Sequence, residues 1–95
     1  MELLQLRYFL ESADRGSFAK TAEKYQVPAA SVSAAVKRLE KELGCTLFDR
    51  SANRIVLNPN GKRMQGTLQR VFAELEQIAA TGQVGETYRY LDVRE

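Results

Sequence analysis

The stretch FAKTAEKYQVPAASVSAAVKRL, residues 18–39, decides how this chain folds. It reads as two short amphipathic helices across a tight bend. The spacing predicts a first helix over Phe18 to Tyr25, with Phe18, Ala19 and Ala22 on one face. A second runs from about Pro28 to Leu43, with Val32, Val36, Leu39 and Leu43 on one stripe. That periodicity buries one face and leaves the other free. The free face carries Ser31, Ser33, Ala34, Lys37, Arg38 and Lys41. Small polar groups mixed with cations, and little bulk, suit a helix that enters the major groove of DNA. Gln26-Val27-Pro28 forms the bend, and proline is tolerated where the first turn's N–H groups have no internal partner. The second helix closes at Gly44, a residue suited to a left-handed exit.

Working outward, residues 3–14 predict a preceding helix. Leu3, Leu6, Phe9 or Leu10, and Ala13 recur on its apolar side, while Arg7, Glu11 and Asp14 lie elsewhere on the wheel. Gly16 stops it and Ser17 caps the next. After Gly44 the period changes. Thr46–Arg50 and Arg54–Leu57 are short β-prone runs around the turn-rich Ser51-Ala52-Asn53. They predict a β-hairpin wing, with Leu47, Phe48, Leu57 and either Val56 or Ile55 on the helices. Arg50, Asn53 and Arg54 would lie near its tip. Asn58-Pro59 is a cap followed by a first-turn proline. From there Met64, Leu68, Val71, Leu75 and Ile78 recur at spacings of a heptad stripe. A helix over 59–81 would be about 34 Å long. So long a stripe exceeds what the small domain can cover, and its outer end is expected to pair with a second copy. Residues 82–95 read as a hinge and a tail of open role.

Composition limits the function classes. A chain of 95 residues, 44% hydrophobic and 27% charged, can build one small core. The net charge is only +2, but its distribution is uneven. Between residues 18 and 63, Lys20, Lys24, Lys37, Arg38, Lys41, Arg50, Arg54, Lys62 and Arg63 face only Glu23, Glu40, Glu42 and Asp49. The positive charge thus gathers on the segment that would meet a polyanion. One cysteine, Cys45, and no histidine exclude an internal disulfide, a Cys/His zinc site and any catalytic pair that needs histidine. No metal or cofactor is expected, and no spacing pairs a nucleophile with a base. The start of the chain lacks a secretory pattern, and no apolar run approaches the ~20 residues of a membrane span. The expected location is the cytoplasm.

The chain resembles the N-terminal DNA-binding domain of LysR-type transcriptional regulators over roughly residues 2–80. The resemblance rests on Leu6-Arg7-Tyr8-Phe9, Gly16-Ser17-Phe18, Thr21-Ala22-Glu23, Ser33 and Val36-Lys37-Arg38-Leu39-Glu40. It continues through Leu43-Gly44-Cys45-Thr46-Leu47-Phe48-Asp49-Arg50 and Leu57-Asn58-Pro59-Asn60-Gly61. It implies a mainly α fold: a winged helix-turn-helix over 1–58 and a linker and dimerisation helix over 59–81. It also implies promoter binding as a dimer. In such regulators a Ser-Gln-Pro-Ala run usually opens the recognition helix. Here Pro28-Ala29-Ala30-Ser31 stands in its place, so Ala29 offers a methyl where the relatives have a hydrogen-bonding Gln. Base edges are therefore assigned to Ala29, Ser31, Ser33 and Ala34. Phosphates are assigned to Ser17, Lys20, Lys37, Arg38, Arg50 and Arg54. The small-molecule-sensing domain of such regulators is absent from these residues, so a small-molecule effector is expected only with a further C-terminal domain. The reading of another class is a winged helix that binds a protein partner and not DNA.

Overall fold

The computed structural model describes residues 1–51 and 54–80. Three helices, α1 (Leu3–Arg15), α2 (Phe18–Tyr25) and α3 (Ala29–Leu43), pack around one another. A two-stranded antiparallel sheet, β1 (Phe48–Ser51) and β2 (Arg54–Leu57), flanks them, and α4 (Pro59–Ala80) follows. The hairpin's residues 52 and 53, residue 81 at the expected end of the long helix, and the hinge and tail read over 82–95 lie outside the described residues.

Local chemistry sets each boundary. Glu2 and Gln5 form a capping box at the start of α1, and Gly16 ends it with φ 68°. The Ser17 hydroxyl accepts the Lys20 N–H at 3.1 Å, which opens α2. Pro28 sits one residue outside α3, extended at φ −64° and ψ 145°. Gly44, at φ 75°, closes α3. The turn between α2 and α3 holds a feature the spacing did not suggest. Gln26 is left-handed at φ 56°, the one non-glycine residue with positive φ among the described residues. That conformation costs a side-chain-bearing residue about 1–2 kcal/mol. Gln26→Gly should therefore raise stability by up to about 1 kcal/mol, after the looser unfolded chain is counted. Urea unfolding checks this, and a loss would show that the Gln26 side chain contributes packing of its own.

The core gathers Leu6, Phe9, Val36, Leu39, Leu47, Phe48, Leu68 and Phe72. Phe48 is its aromatic centre, 5.4 Å from the Phe9 ring centroid and 5.6 Å from that of Phe18. A second cluster, Tyr8, Ala22, Val32 and Ala35, lies under the helix-turn-helix. Ala22 is buried there, while Ala19 faces outward. Between α1 and α2 the fully buried Ser12 and Thr21 share a hydrogen bond of 3.0 Å, which satisfies both hydroxyls in an apolar seam.

The hairpin register pairs Phe48 with Leu57 and Arg50 with Ile55. Ile55 packs on the core and Val56 stays 57% exposed. β1 begins at Phe48, two residues after the expected Thr46, because the backbone before it has other partners. The Leu47 N–H donates to the Glu40 carboxylate, and the Leu47 carbonyl accepts the Asn58 N–H.

The long helix corrects the expected stripe. Met64, Leu68, Phe72, Leu75 and Ala79 face the chain's own core, and Leu68 is only 4% exposed. Leu68 is thus spent inside the domain and is not offered to a second copy. Val71 and Ile78, 38% and 42% exposed, remain on the outer side. The reason is the wide apolar face: Phe72 turns inward and takes the Arg7 guanidinium at 4.8 Å from its ring centroid. Arg7 and Glu11, which lie off the apolar stripe of α1, are themselves buried.

Candidate nucleic-acid interface

The second helix of the turn motif presents a clean outer face. Val32, Ala35, Val36 and Leu39 are buried, and Ala29, Ala30, Ser31, Ala34, Lys37, Arg38 and Lys41 are exposed. At 100° per residue, Ala30, Ala34, Lys37 and Lys41 form the centre of that face. Ala30 was not among the residues assigned from sequence, and only its central position on the wheel singles it out. Ala29 and Ser33 lie on the side toward the wing, and Ser31 and Arg38 on the opposite side. Among the described residues no ion pair holds Lys20, Lys37, Arg38, Lys41 or Arg54. These cations are available to an outside anion.

A groove runs from α3 to the wing, lined by Ser17, Phe18, Ser33, Arg50, Arg54 and Ile55. It brings together four of the assigned residues from three elements. The Ser17 hydroxyl accepts the Lys20 N–H with one lone pair, and its proton can still be donated. Arg54 is exposed on the groove edge. Arg50 differs from the expectation, for an intramolecular partner holds it first. Its guanidinium donates to Glu40 Oε1 at 3.1 Å and lies 5.1 Å from the Phe18 ring centroid. On the other side of α3, Arg38, Lys41 and Glu42 border the start of α1, where the Met1 ammonium pairs with Glu42 at 2.9 Å.

Behind this surface a buried charge cluster braces the helices. Glu11 accepts from Arg7 at 3.4 Å, Arg15 at 3.0 Å and Lys24 at 3.1 Å. Burial pushes the Glu11 carboxyl up, but the hydrogen bonds from Arg15 and Lys24 and the Lys24 and Arg7 charges outweigh it and leave its pKa lowered. Tyr8 and Tyr25 stack edge-on at 5.1 Å, and burial raises both phenols above their ordinary value. These groups hold the scaffold and none faces the groove. Among the described residues no cluster of His, Cys, Asp and Glu could hold a metal ion. Among the described residues no helix is long and apolar enough to cross a membrane.

A two-helix turn motif with an exposed, cationic second helix and an adjoining wing defines a winged helix-turn-helix domain. Residues 3–62 match the family of bacterial regulatory helix-turn-helix proteins of the lysR type. The chain is 38% identical over 88 residues to the uncharacterized HTH-type transcriptional regulator YwqM of Bacillus subtilis (strain 168). That alignment covers 92% of this chain and 30% of YwqM. Its fold is similar to the DNA-binding domain of BenM, whose crystal structure is a complex with benA site 1 DNA. The TM-score is 0.81 at 28% identity, over 87% of this chain and 96% of that one. Full-length OxyR from Pseudomonas aeruginosa gives 0.80 at 34% identity, over 90% of this chain and 29% of that one. The chain belongs to the lysR family of bacterial regulatory helix-turn-helix proteins. It spans less than a third of the length of YwqM and OxyR.

Proposed function

We propose that this domain binds promoter DNA as a homodimer, with α3 of each copy in a major groove. The observation that carries the reading is the outer face of α3. Small residues in its first turns permit close approach to base edges, and the exposed cations Lys37, Arg38 and Lys41 follow along the same face. Ala29, Ser31, Ser33 and Ala34 would touch bases, joined by Ala30. Ser17, Lys20, Lys37, Arg38 and Arg54 would set register on phosphates. The outer stripe of α4, Val71 and Ile78 with the half-buried Met64 and Leu75 at its edge, would meet its symmetry mate. Two-fold symmetry then demands a roughly palindromic site. Such a regulator would work in the cytoplasm. Response to a small molecule would need a C-terminal domain beyond these residues.

Fluorescence anisotropy with a random-sequence duplex at low and moderate salt tests this, with the oligomer mass measured alongside. Salt-sensitive binding from a dimer is the expected result. A folded dimer that binds no duplex at low salt would instead be a protein-interaction module. Lys37→Ala should weaken all sequences alike and lower the slope of log affinity against log salt by about 0.9. A loss confined to some sequences would move Lys37 from phosphate to base contact.

A further inference from the structure

Glu40 is an acid on the helix that faces DNA, where a free anion would oppose binding. Its side chain is only 11% exposed and fully engaged. Oε2 accepts the N–H groups of Leu47 at 2.7 Å and Phe48 at 3.3 Å. Oε1 accepts the Arg50 guanidinium at 3.1 Å. One carboxylate thus ties α3 to the first residues of the wing and to the arginine that lines the groove. Arg50 is held a second time by the Phe18 ring, itself edge-on to Phe48. A guanidinium has five N–H donors. Its bond to Glu40 leaves the others for an anion in the groove beside Ser17, Ser33 and Arg54.

We propose that Glu40 is a positioning residue for DNA binding: it fixes Arg50 as a phosphate clamp at a set offset from α3. The proposal rests on the DNA-binding reading above. Freezing a long side chain beforehand removes an entropy cost that a free arginine would meet on binding. The Glu40–Arg50 pair is neutral as a unit, so the acid repels the duplex little while it holds the cation.

Glu40→Gln separates the two jobs of the carboxylate. The amide oxygen still accepts from Leu47 and Phe48, and the amide N–H₂ cannot accept from Arg50. Charge alone predicts tighter DNA binding, because an anion is removed. Positioning predicts the opposite sign: roughly tenfold weaker binding, the scale of one charge-assisted contact. In an Arg50→Gln background, Glu40→Gln should cause no further loss. Arg50→Lys, which keeps the charge, should lose nearly as much as Arg50→Gln, for lysine lacks the planar fork. Anisotropy with one duplex, with thermal melting to confirm the fold, reads all four proteins beside the wild type. Glu40→Gln binding as well as wild type or better would overturn the proposal, as would additive losses in the double variant. If Glu40→Gln fails to fold, Arg50→Lys decides: wild-type affinity overturns the clamp, and the loss supports it. A wild-type protein with no salt-sensitive binding would sink the DNA reading and this proposal together. Wild-type binding with an indifferent Glu40 would sink this proposal alone.

Discussion

Gly61→Ala is expected to destabilise the domain by about 3 kcal/mol, the upper range for forcing a methyl into a closed space. For a domain of this size that lowers the melting temperature by roughly 12–24 °C. Gly61 lies in the first turn of α4, where the helix runs flush against the backbone that leads into the wing. A Cβ there would press into the Leu47 carbonyl oxygen, well inside van der Waals contact, and stand 2.7 Å from Leu57 Cδ2. The carbonyl is backbone and cannot rotate away. It also accepts the Asn58 N–H at 3.0 Å. Asn58 stitches the same joint. Its Oδ1 accepts the Gly61 N–H at 2.9 Å, and its Nδ2 donates to both the Thr46 carbonyl and hydroxyl at 3.0 Å. Moving α4 outward to admit the methyl would strain all of these bonds at once. The same helix supplies a control. A Cβ on Gly66 meets nothing within 4 Å, so Gly66→Ala should stabilise by up to about 1 kcal/mol through helix propensity. Urea unfolding of both variants checks the pair. Equal effects would mean that α4 does not approach the wing as closely as the structure has it. Since α4 starts at this joint and runs on along the core, the joint also sets where the exposed Val71 and Ile78 point.

The helix boundaries from α1 to the start of α4 were legible in the sequence to within a residue or two, because caps and stops are local chemistry. Ser17, Pro28, Gly16, Gly44 and the Asn58-Pro59 pair announce themselves without any knowledge of the fold. The exposed face of α3 was equally legible, since a helical wheel needs no partner. What stayed hidden depends on contacts across the chain. Leu68 has the spacing of a dimer seam, and only the path of α4 across α1 turns it inward. Arg7 and Glu11 lie off the apolar stripe, and nothing local shows that Phe72 and Lys24 will cover them. Arg50 reads as a free cation because Glu40, ten residues away, gives no sign that it bends toward the wing. Gln26 bears no glycine signal at a left-handed position, so its strain was invisible. Charge-bearing residues were thus assigned by type, and the structure reassigns the ones that found partners.

Glu11→Ala is expected to cost about 3–5 kcal/mol, the range for removing one partner of a buried ion pair. Among the described residues this one carboxylate pairs with Arg7, Arg15 and Lys24. Arg15 lies near the surface and can turn to water, but Arg7 is buried against the Phe72 ring and cannot. Its charge would be left without a counter-ion at the meeting point of α1 and α4. The pH dependence should change with it. The pKa of Glu11 is lower in the folded protein than in the unfolded chain. Its contribution is therefore fully present above the unfolded value, roughly pH 4.3. It is lost as pH falls through the lower folded value. Wild-type stability should fall steeply below about pH 4, and Glu11→Ala should fall less steeply there. Denaturant midpoints from pH 3 to pH 7 measure both slopes. A decisive companion is the double change Arg7→Met with Glu11→Leu. Well-packed apolar residues in place of a buried pair are often neutral or stabilising, and the methionine sulfur can rest on the Phe72 ring. The double variant should regain most of what Glu11→Ala loses. It should also bind DNA as the wild type does, because the cluster braces the helices from behind and lends no group to the groove. A double variant as weak as the single one would mean that the charges themselves, and not their mutual compensation, orient α4 on the domain.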